Sequence, residues 1–174
     1  TILEGKGYEG PEAGGYAVKK VTEFTALLKK GNLPQKDQLD VFRFIVHIVG
    51  DLHQPLHVGN GTDRGGNDVE VTWFGDDTNL HRVWDSQLIE YMQYSYTEYA
   101  QQIQLVLTDA DKQNLMDPDI IKFINASRSH HGQVYEIGDG KLSWDYIYKN
   151  RELMEDRLLR GGYHLAAILN DIYK

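Results

Sequence analysis

Hydrophobic positions along the chain recur mostly at intervals of three and four residues, which is the period of an amphipathic α-helix. After an irregular, glycine-rich start at residues 1–10, this pattern covers Glu12–Leu28 and ends at a Gly-Asn pair. A second helix is predicted over Gln35–Leu52. Further helices are predicted at about 81–92, 97–107, 119–135 and 143–173. The pattern therefore predicts a mainly α fold.

The second predicted helix is unusually apolar in its second half, where the hydrophobic residues are Phe44, Ile45, Val46, Ile48 and Val49. A helix that is apolar nearly all round is normally buried. We therefore expect His47 and Asp51 on a buried helix, where an ionised carboxylate needs a cation nearby. Pro55 disfavours helical backbone at the residue before it, so His57 is expected just past the helix end, turned back toward both.

The segment between the second and third predicted helices has the features of a loop and a strand. Residues 59–68 contain four glycines, and Val69, Val71 and Trp73 then alternate with polar residues. Such alternation is typical of a short strand, so a small β-hairpin excursion is predicted around residues 62–75. The polar segment 108–119 and the segment 136–141 are predicted as connections. With no internal repeat or linker, the chain is expected to be a single domain over residues 1–174.

Composition and charge narrow the possible partners. The chain has 174 residues, of which 41% are hydrophobic, and carries a formal net charge of −8. It has no Lys/Arg-rich run, so the basic surface that binds duplex DNA is not expected. Cysteine is absent, which excludes disulfides and thiolate metal sites. No apolar run is long enough to cross a bilayer, and no membrane partner is expected.

The histidines provide the main functional signal. His47 and Asp51 are four residues apart, as are His81 and Asp85. On a helix this spacing places both side chains of a pair on one face. Together with His57 they make five nitrogen and oxygen ligands, a set that suits zinc. A salt bridge to Arg43 is the alternative for Asp51, but it would not explain the other four residues.

The remaining histidines are interpreted differently. His53 is two residues from Asp51, so its side chain points elsewhere, and we assign it a supporting role beside the ligands or none. His130, His131 and His164 are expected to be structural or exposed, because an isolated histidine on a helix is more often a core or surface residue than a ligand. Gly161-Gly162 within the last predicted helix indicates a close packing partner at that point.

Several segments resemble the S1/P1 nuclease family, zinc-dependent enzymes with a helical fold shared with bacterial zinc phospholipase C. The strongest are HIVGDLHQPLHVG at residues 47–59, DRGGND and NLHRVWD. FINASRSHHGQVY and RLLRGGYHLAAILNDIY resemble later helices of the family. The resemblance covers the chain from about Glu12 onward and implies a phospholipase C/P1 nuclease-like helical domain.

The resemblance implies specific roles. His47 and Asp51 would be ligands of a paired zinc site, with Asp51 bridging two ions at the catalytic centre. His57, His81 and Asp85 would hold a third zinc. The implied activity is cleavage of single-stranded DNA or RNA to 5′-phosphorylated products by metal-activated water, with 3′-nucleotidase activity in many members. The implied location is secreted or periplasmic.

The chain departs from the family pattern at its start. Family members have an N-terminal Trp and further His and Asp ligands upstream of the present motif, whereas no histidine precedes His47 and no tryptophan precedes Trp73. We therefore expect the chain to correspond to the C-terminal two-thirds of a family member, with one complete three-residue zinc site. Two alternatives are a lipid hydrolase similar to zinc phospholipase C and a non-catalytic, metal-stabilised helical fragment.

Overall fold

The structure, a computed structural model, describes residues 16–59 and 61–174. The irregular start predicted at residues 1–10 lies outside the described residues, as does the first turn of the first predicted helix. Helix α1 spans Tyr16–Lys30 and ends where Gly31 takes a φ of +66°, a conformation that favours glycine. Helix α2 spans Gln35–Asp51, within one residue of the prediction.

A small three-stranded sheet follows. Strand β1 (Glu70–Trp73) pairs antiparallel with β2 (Asp76–Asn79), and β3 (Lys141–Leu142) pairs parallel with the other side of β1. The hairpin predicted around residues 62–75 therefore lies further along the chain, at residues 70–79. The sequence DDTN of β2 has no apolar alternation because it forms an edge strand, and its first two residues are exposed.

The remaining helical segments follow strand β2 along the chain. Asn79 caps the next segment, since its side chain accepts a hydrogen bond from the Arg82 amide. The segments, in chain order, are α3 (Leu80–Arg82), a π-helical turn (Val83–Gln87), α4 (Leu88–Glu90), α5 (Tyr96–Gln104), α6 (Asp109–Leu115), α7 (Ile120–Ser129), α8 (His131–Val134) and α9 (Trp144–Ile172). Helix α6 and strand β3 fall in segments predicted as connections.

Helix α9 connects two parts of the hydrophobic core. Its first half packs with the sheet and the π-helical turn, through residues such as Trp84 and Tyr146. Its second half packs with α1, α2 and α7 through residues that include Ile45 and Ile168. Because both cores share α9, they fix the C-terminal end of α2 relative to the segment at residues 80–90. These are the two regions that carry the metal-ligand candidates.

Helix α2 is not buried all round, which corrects the expectation from its apolar sequence. Ile45 and Val49 are its buried residues, whereas the His47 side chain is 71% exposed and Val46 lies at the surface. Among the described residues, α2 packs against α1 and α9 on one side, and this leaves the other side open. None of the helices in the described part of the chain has the length and apolar character needed to cross a membrane.

Candidate metal centre

Three of the five predicted ligands converge on one point. His57 lies in a short 3₁₀ helix, Pro55–Val58, directly after α2, and its Nε2 is 2.9 Å from Asp85 Oδ1. The Nε2 of His81 is 3.0 Å from the other carboxylate oxygen, Asp85 Oδ2. One ligand atom from each of the three residues can be chosen so that all lie within 4.8 Å of one another. His57, His81 and Asp85 therefore form a group that could hold a metal ion.

A backbone carbonyl on the side of the ring away from Asp85 fixes the orientation of His81. Its Nδ1 is 2.7 Å from the carbonyl oxygen of Gly65, which can only accept a hydrogen bond, so Nδ1 carries the proton. In the neutral ring the lone pair is then on Nε2, the atom that faces Asp85. A backbone carbonyl that fixes the tautomer in this way is a common support for a metal-ligating histidine.

The close approach of residues 65 and 66 depends on glycine. Gly65 and Gly66 have φ values of +67° and +80°. A Cβ atom at Gly65 would overlap the carbonyl oxygen of Leu56, the residue before His57. The loop can therefore bring the Gly65 carbonyl to His81 only because no side chain is present there.

Asp85 lies within the π-helical turn Val83–Gln87. Such turns are rare and often occur at functional sites. The neighbouring Trp84 is buried and donates a hydrogen bond of 2.8 Å from its Nε1 to the Tyr146 hydroxyl. This contact anchors the turn to α9 while Asp85 remains at the surface of the core.

The electrostatics of the group favour a cation. Partial burial acts to raise the pKa of Asp85, but hydrogen bonds from His57, His81 and Gln54 outweigh it and hold this pKa well below its usual range. The hydrogen bond to Asp85 raises the pKa of His81. A divalent metal held by these three residues would supply positive charge next to this carboxylate.

Gln54 is a supporting residue that sequence reasoning missed. Its side-chain amide donates a hydrogen bond of 2.8 Å to Asp85 Oδ1, and its side-chain oxygen accepts one from the Leu56 amide. One side chain thus orients the carboxylate and caps the 3₁₀ helix that carries His57. The available signal was its position directly before Pro55. A residue before proline favours extended backbone, which is also the conformation of a residue that caps a helix start.

The other predicted pair lies beside this group. His47 Nε2 is 3.3 Å from Asp51 Oδ2, so the four-residue spacing does bring these side chains together. Asp51 Oδ2 is also 3.9 Å from His57 Nδ1, which places the carboxylate next to the three-residue group. Arg43 pairs with exposed Asp40 at 3.8 Å. The competing interpretation of Asp51 as a partner of Arg43 is therefore wrong.

The His53 side chain makes no hydrogen bond, ion pair or ring contact with the five predicted ligands. It is buried, with Nδ1 2.7 Å from the Val49 carbonyl oxygen and Nε2 2.7 Å from Nδ1 of His164. Burial lowers the pKa of both His53 and His164 to about 4. Gly161 packs beside the His53 ring, where a Cβ atom would lie at an ordinary contact distance of 3.5 Å from Cγ, whereas Gly162 has no such neighbour within 4 Å. His53 is thus a buried core residue that joins α2 to α9.

His131 has a structural role, in agreement with the expectation, and this role supports the site. Its Nε2 lies 2.8 Å from the carbonyl oxygen of Pro55 and so connects α8 to the 3₁₀ helix that carries His57. His130 is the C-terminal cap of α7. His164 is buried and its ring stacks on Phe123 with centroids 3.9 Å apart. The structural interpretation of His164 agrees with these contacts.

Comparison with known proteins identifies relatives. The family model for S1/P1 Nuclease matches residues 5–174. Endonuclease 2 of Arabidopsis thaliana is 32% identical over 156 residues, which cover 80% of this chain and 53% of that protein. Nuclease S1 of Aspergillus oryzae is 29% identical over 181 residues, which cover 90% of this chain and 62% of that protein. Endonuclease 4 of Arabidopsis thaliana is 30% identical over 151 residues, which cover 77% of this chain and 50% of that protein. The chain spans about half the length of the curated relatives it matches.

Proposed function

The chain belongs to the S1/P1 nuclease family, and we propose that it is a zinc-dependent phosphodiesterase that cleaves single-stranded DNA or RNA to 5′-phosphorylated products. The observation that carries this proposal is the convergence of His57, His81 and Asp85, with the tautomer of His81 fixed by the Gly65 carbonyl. Two imidazoles and one carboxylate form a typical open zinc site, which leaves a coordination position for water or substrate.

Each residue of the proposed zinc sites has its own role in the proposal. His57 and His81 would each present a neutral imidazole nitrogen, and Asp85 would supply negative charge that Gln54 orients. Bound zinc would lower the pKa of a ligated water and polarise a phosphoryl oxygen. We propose His47 and Asp51 as two ligands of the neighbouring paired metal site, where Asp51 would act in catalysis by helping to hold the ions at the reacting centre.

The surroundings of the group support a nucleotide-sized substrate. A cavity of about 340 Å³ is lined by Asp51, His57 and Asp85 together with apolar residues such as Trp84 and Ile89. Pockets of this size enclose small ligands, and a single unstacked nucleotide can enter where a duplex cannot. Bound zinc would also offset the net charge of −8, which otherwise repels a polyanion. We extend the proposal to 3′-nucleotidase activity and to a secreted or periplasmic location.

The test is hydrolysis of a fluorescent single-stranded oligonucleotide by the zinc-loaded chain, before and after EDTA. We expect metal-dependent cleavage, strong loss of it in Asp85→Asn, and retention in the matched control Asp40→Asn, because Asp40 is an exposed residue of α2 paired with Arg43. Release of phosphate from a 3′-mononucleotide tests the second activity. Zinc that raises the melting temperature without any cleavage would instead support a non-catalytic metal-stabilised module.

A further inference from the structure

Arg157 is a buried arginine of α9 that the metal centre does not use. It is 4% exposed and lines the same cavity as Asp51, His57 and Asp85. Its Nε and Nη2 donate hydrogen bonds to Asp156 Oδ2, at 3.1 Å and 2.6 Å. Its Nη1 is buried and has no hydrogen-bond partner among residues 16–59 and 61–174. A buried donor without a partner is unfavourable, so this group calls for an acceptor.

The charge around Arg157 is not balanced. Asp156 is shared, because Arg160 Nε also donates to both of its carboxylate oxygens, at 2.7 Å and 3.0 Å. Two guanidinium groups therefore face one carboxylate and leave an excess of one positive charge. Burial and the nearby positive charges of these arginines keep His53 and His164 uncharged at neutral pH, with pKa values of about 4. The two histidines therefore do not change the local excess of one positive charge.

We propose that Arg157 forms a phosphate-binding subsite in the cavity, with Nη1 donating to an oxyanion of the substrate or product. The proposal rests on the proposed function in one respect, since a metal must first offset the carboxylates of Asp51 and Asp85 in the same cavity. Apolar walls that include Met154 and Leu165 exclude water and strengthen the charge-assisted hydrogen bond. The phosphate could belong to a nucleotide or be inorganic.

A purely structural role for Arg157 does not account for its position. Asp156 already receives hydrogen bonds from Arg160, which is far more exposed, with 40% of its side chain accessible. Holding Asp156 therefore does not require a second, fully buried guanidinium. The arrangement instead resembles an arginine oriented by a carboxylate on one edge so that its other edge presents a donor to a ligand.

The test is binding of inorganic phosphate to the zinc-loaded, dialysed chain by calorimetry, with thymidine 5′-phosphate and thymidine as further probes. Arg157→Gln should lower phosphate affinity by about ten- to hundredfold, the effect of losing a hydrogen bond to a charged group. The matched control is Arg151→Gln, since Arg151 lies on the same helix, is paired with Glu155 and is exposed. It should change the affinity by less than about twofold. Arg157→Lys keeps the charge and should be intermediate.

The probes distinguish the source of the phosphate. Tighter binding of thymidine 5′-phosphate than of inorganic phosphate, without binding of thymidine, assigns the subsite to a nucleotide phosphate. Equal binding of the two phosphates assigns it to the free anion. Unchanged phosphate affinity in Arg157→Gln, with loss in Asp85→Asn, would overturn the proposal, because the anion would then bind at the metal alone.

Two further measurements distinguish a failure of the phosphate subsite from misfolding of the variant and from a failure of the proposed function. If Arg157→Gln does not fold, the guanidinium nitrogen signals of wild-type protein with ¹⁵N-labelled arginine decide the matter. The Arg157 signal should shift on addition of phosphate while the Arg151 signal does not, and an unmoved Arg157 signal overturns the subsite. Phosphate binding that depends on Arg157 in a chain without hydrolytic activity would remove the proposed function and leave the subsite intact. Hydrolysis together with phosphate binding that does not depend on Arg157 would keep the proposed function and overturn the subsite.

Discussion

Replacing Gly65 by alanine tests how the loop at residues 61–68 supports the metal centre. Gly65 has a φ of +67°, and its carbonyl oxygen lies 2.7 Å from Nδ1 of His81. A methyl group there would overlap the carbonyl oxygen of Leu56. Either the loop moves away from His81 or the 3₁₀ helix that carries His57 moves. Both displacements disturb a metal ligand.

The expected magnitude has two contributions. An L-residue at this φ costs roughly 1–2 kcal/mol, and overpacking against a fixed backbone atom adds about 1–3 kcal/mol. Gly65→Ala should therefore lower the free energy of unfolding by about 2–5 kcal/mol in total. Loss of the hydrogen bond that orients His81 should weaken zinc binding by about 10–100-fold.

Gly31→Ala is the matched control. Gly31 has nearly the same φ, +66°, but no atom lies within 4 Å of the position of its Cβ. It should cost only the conformational part, roughly 1–2 kcal/mol, and leave zinc affinity unchanged. Urea unfolding of the metal-free chains and zinc competition with a chromophoric chelator measure the two effects. Equal stabilities and equal zinc affinities for the two variants would refute the reasoning.

Three other predictions concern the support of the site and the core. Gln54→Ala removes the hydrogen bond to Asp85 and should weaken zinc binding by about 10–100-fold in the chelator assay; unchanged affinity would contradict this. His53 and His164 have pKa values of about 4 when folded, below the unfolded value of 6.5. The unfolded chain therefore binds protons first, and stability should fall by about 3 kcal/mol for each histidine as pH drops from 6.5 to 4, whereas a His53→Gln variant should show a smaller fall in urea unfolding. Asp119→Ala removes the cap of α7, where Oδ1 accepts hydrogen bonds from two backbone amides, and should cost about 1 kcal/mol; no change in the urea midpoint would contradict the capping role.

The sequence predicted the site better than its surroundings. The four-residue spacing of His47 with Asp51, and of His81 with Asp85, gave two contacting pairs because the spacing depends only on local backbone geometry. The convergence of His57 on the second pair followed from a resemblance to known proteins. The π-helical turn that carries Asp85 was not predicted, and its Val83 and Trp84 pack in one core with residues of the sheet and α9 that are distant in the sequence.

Long-range contacts were the main features that the sequence could not provide. His53 and His164 are 111 residues apart, and nothing in either local pattern shows that their rings meet. The exposure of His47 was also mispredicted, because an apolar sequence does not reveal how many neighbours cover a helix. Helix α6 was missed for a different reason. Its signal is the capping box of Thr108 and Asp111, whereas the segment is polar and shows no hydrophobic period.

The most direct test of the central claim is X-ray absorption at the zinc edge of the zinc-loaded chain, compared with that of Asp85→Asn. The proposed site of His57, His81 and Asp85 predicts nitrogen and oxygen ligands at about 2.0–2.2 Å, with the outer-shell scattering of two imidazoles. The Asp85→Asn variant should retain less zinc after dialysis. Zinc that binds without imidazole scattering, or that is retained equally by the variant, would contradict the claim that these residues form the metal centre.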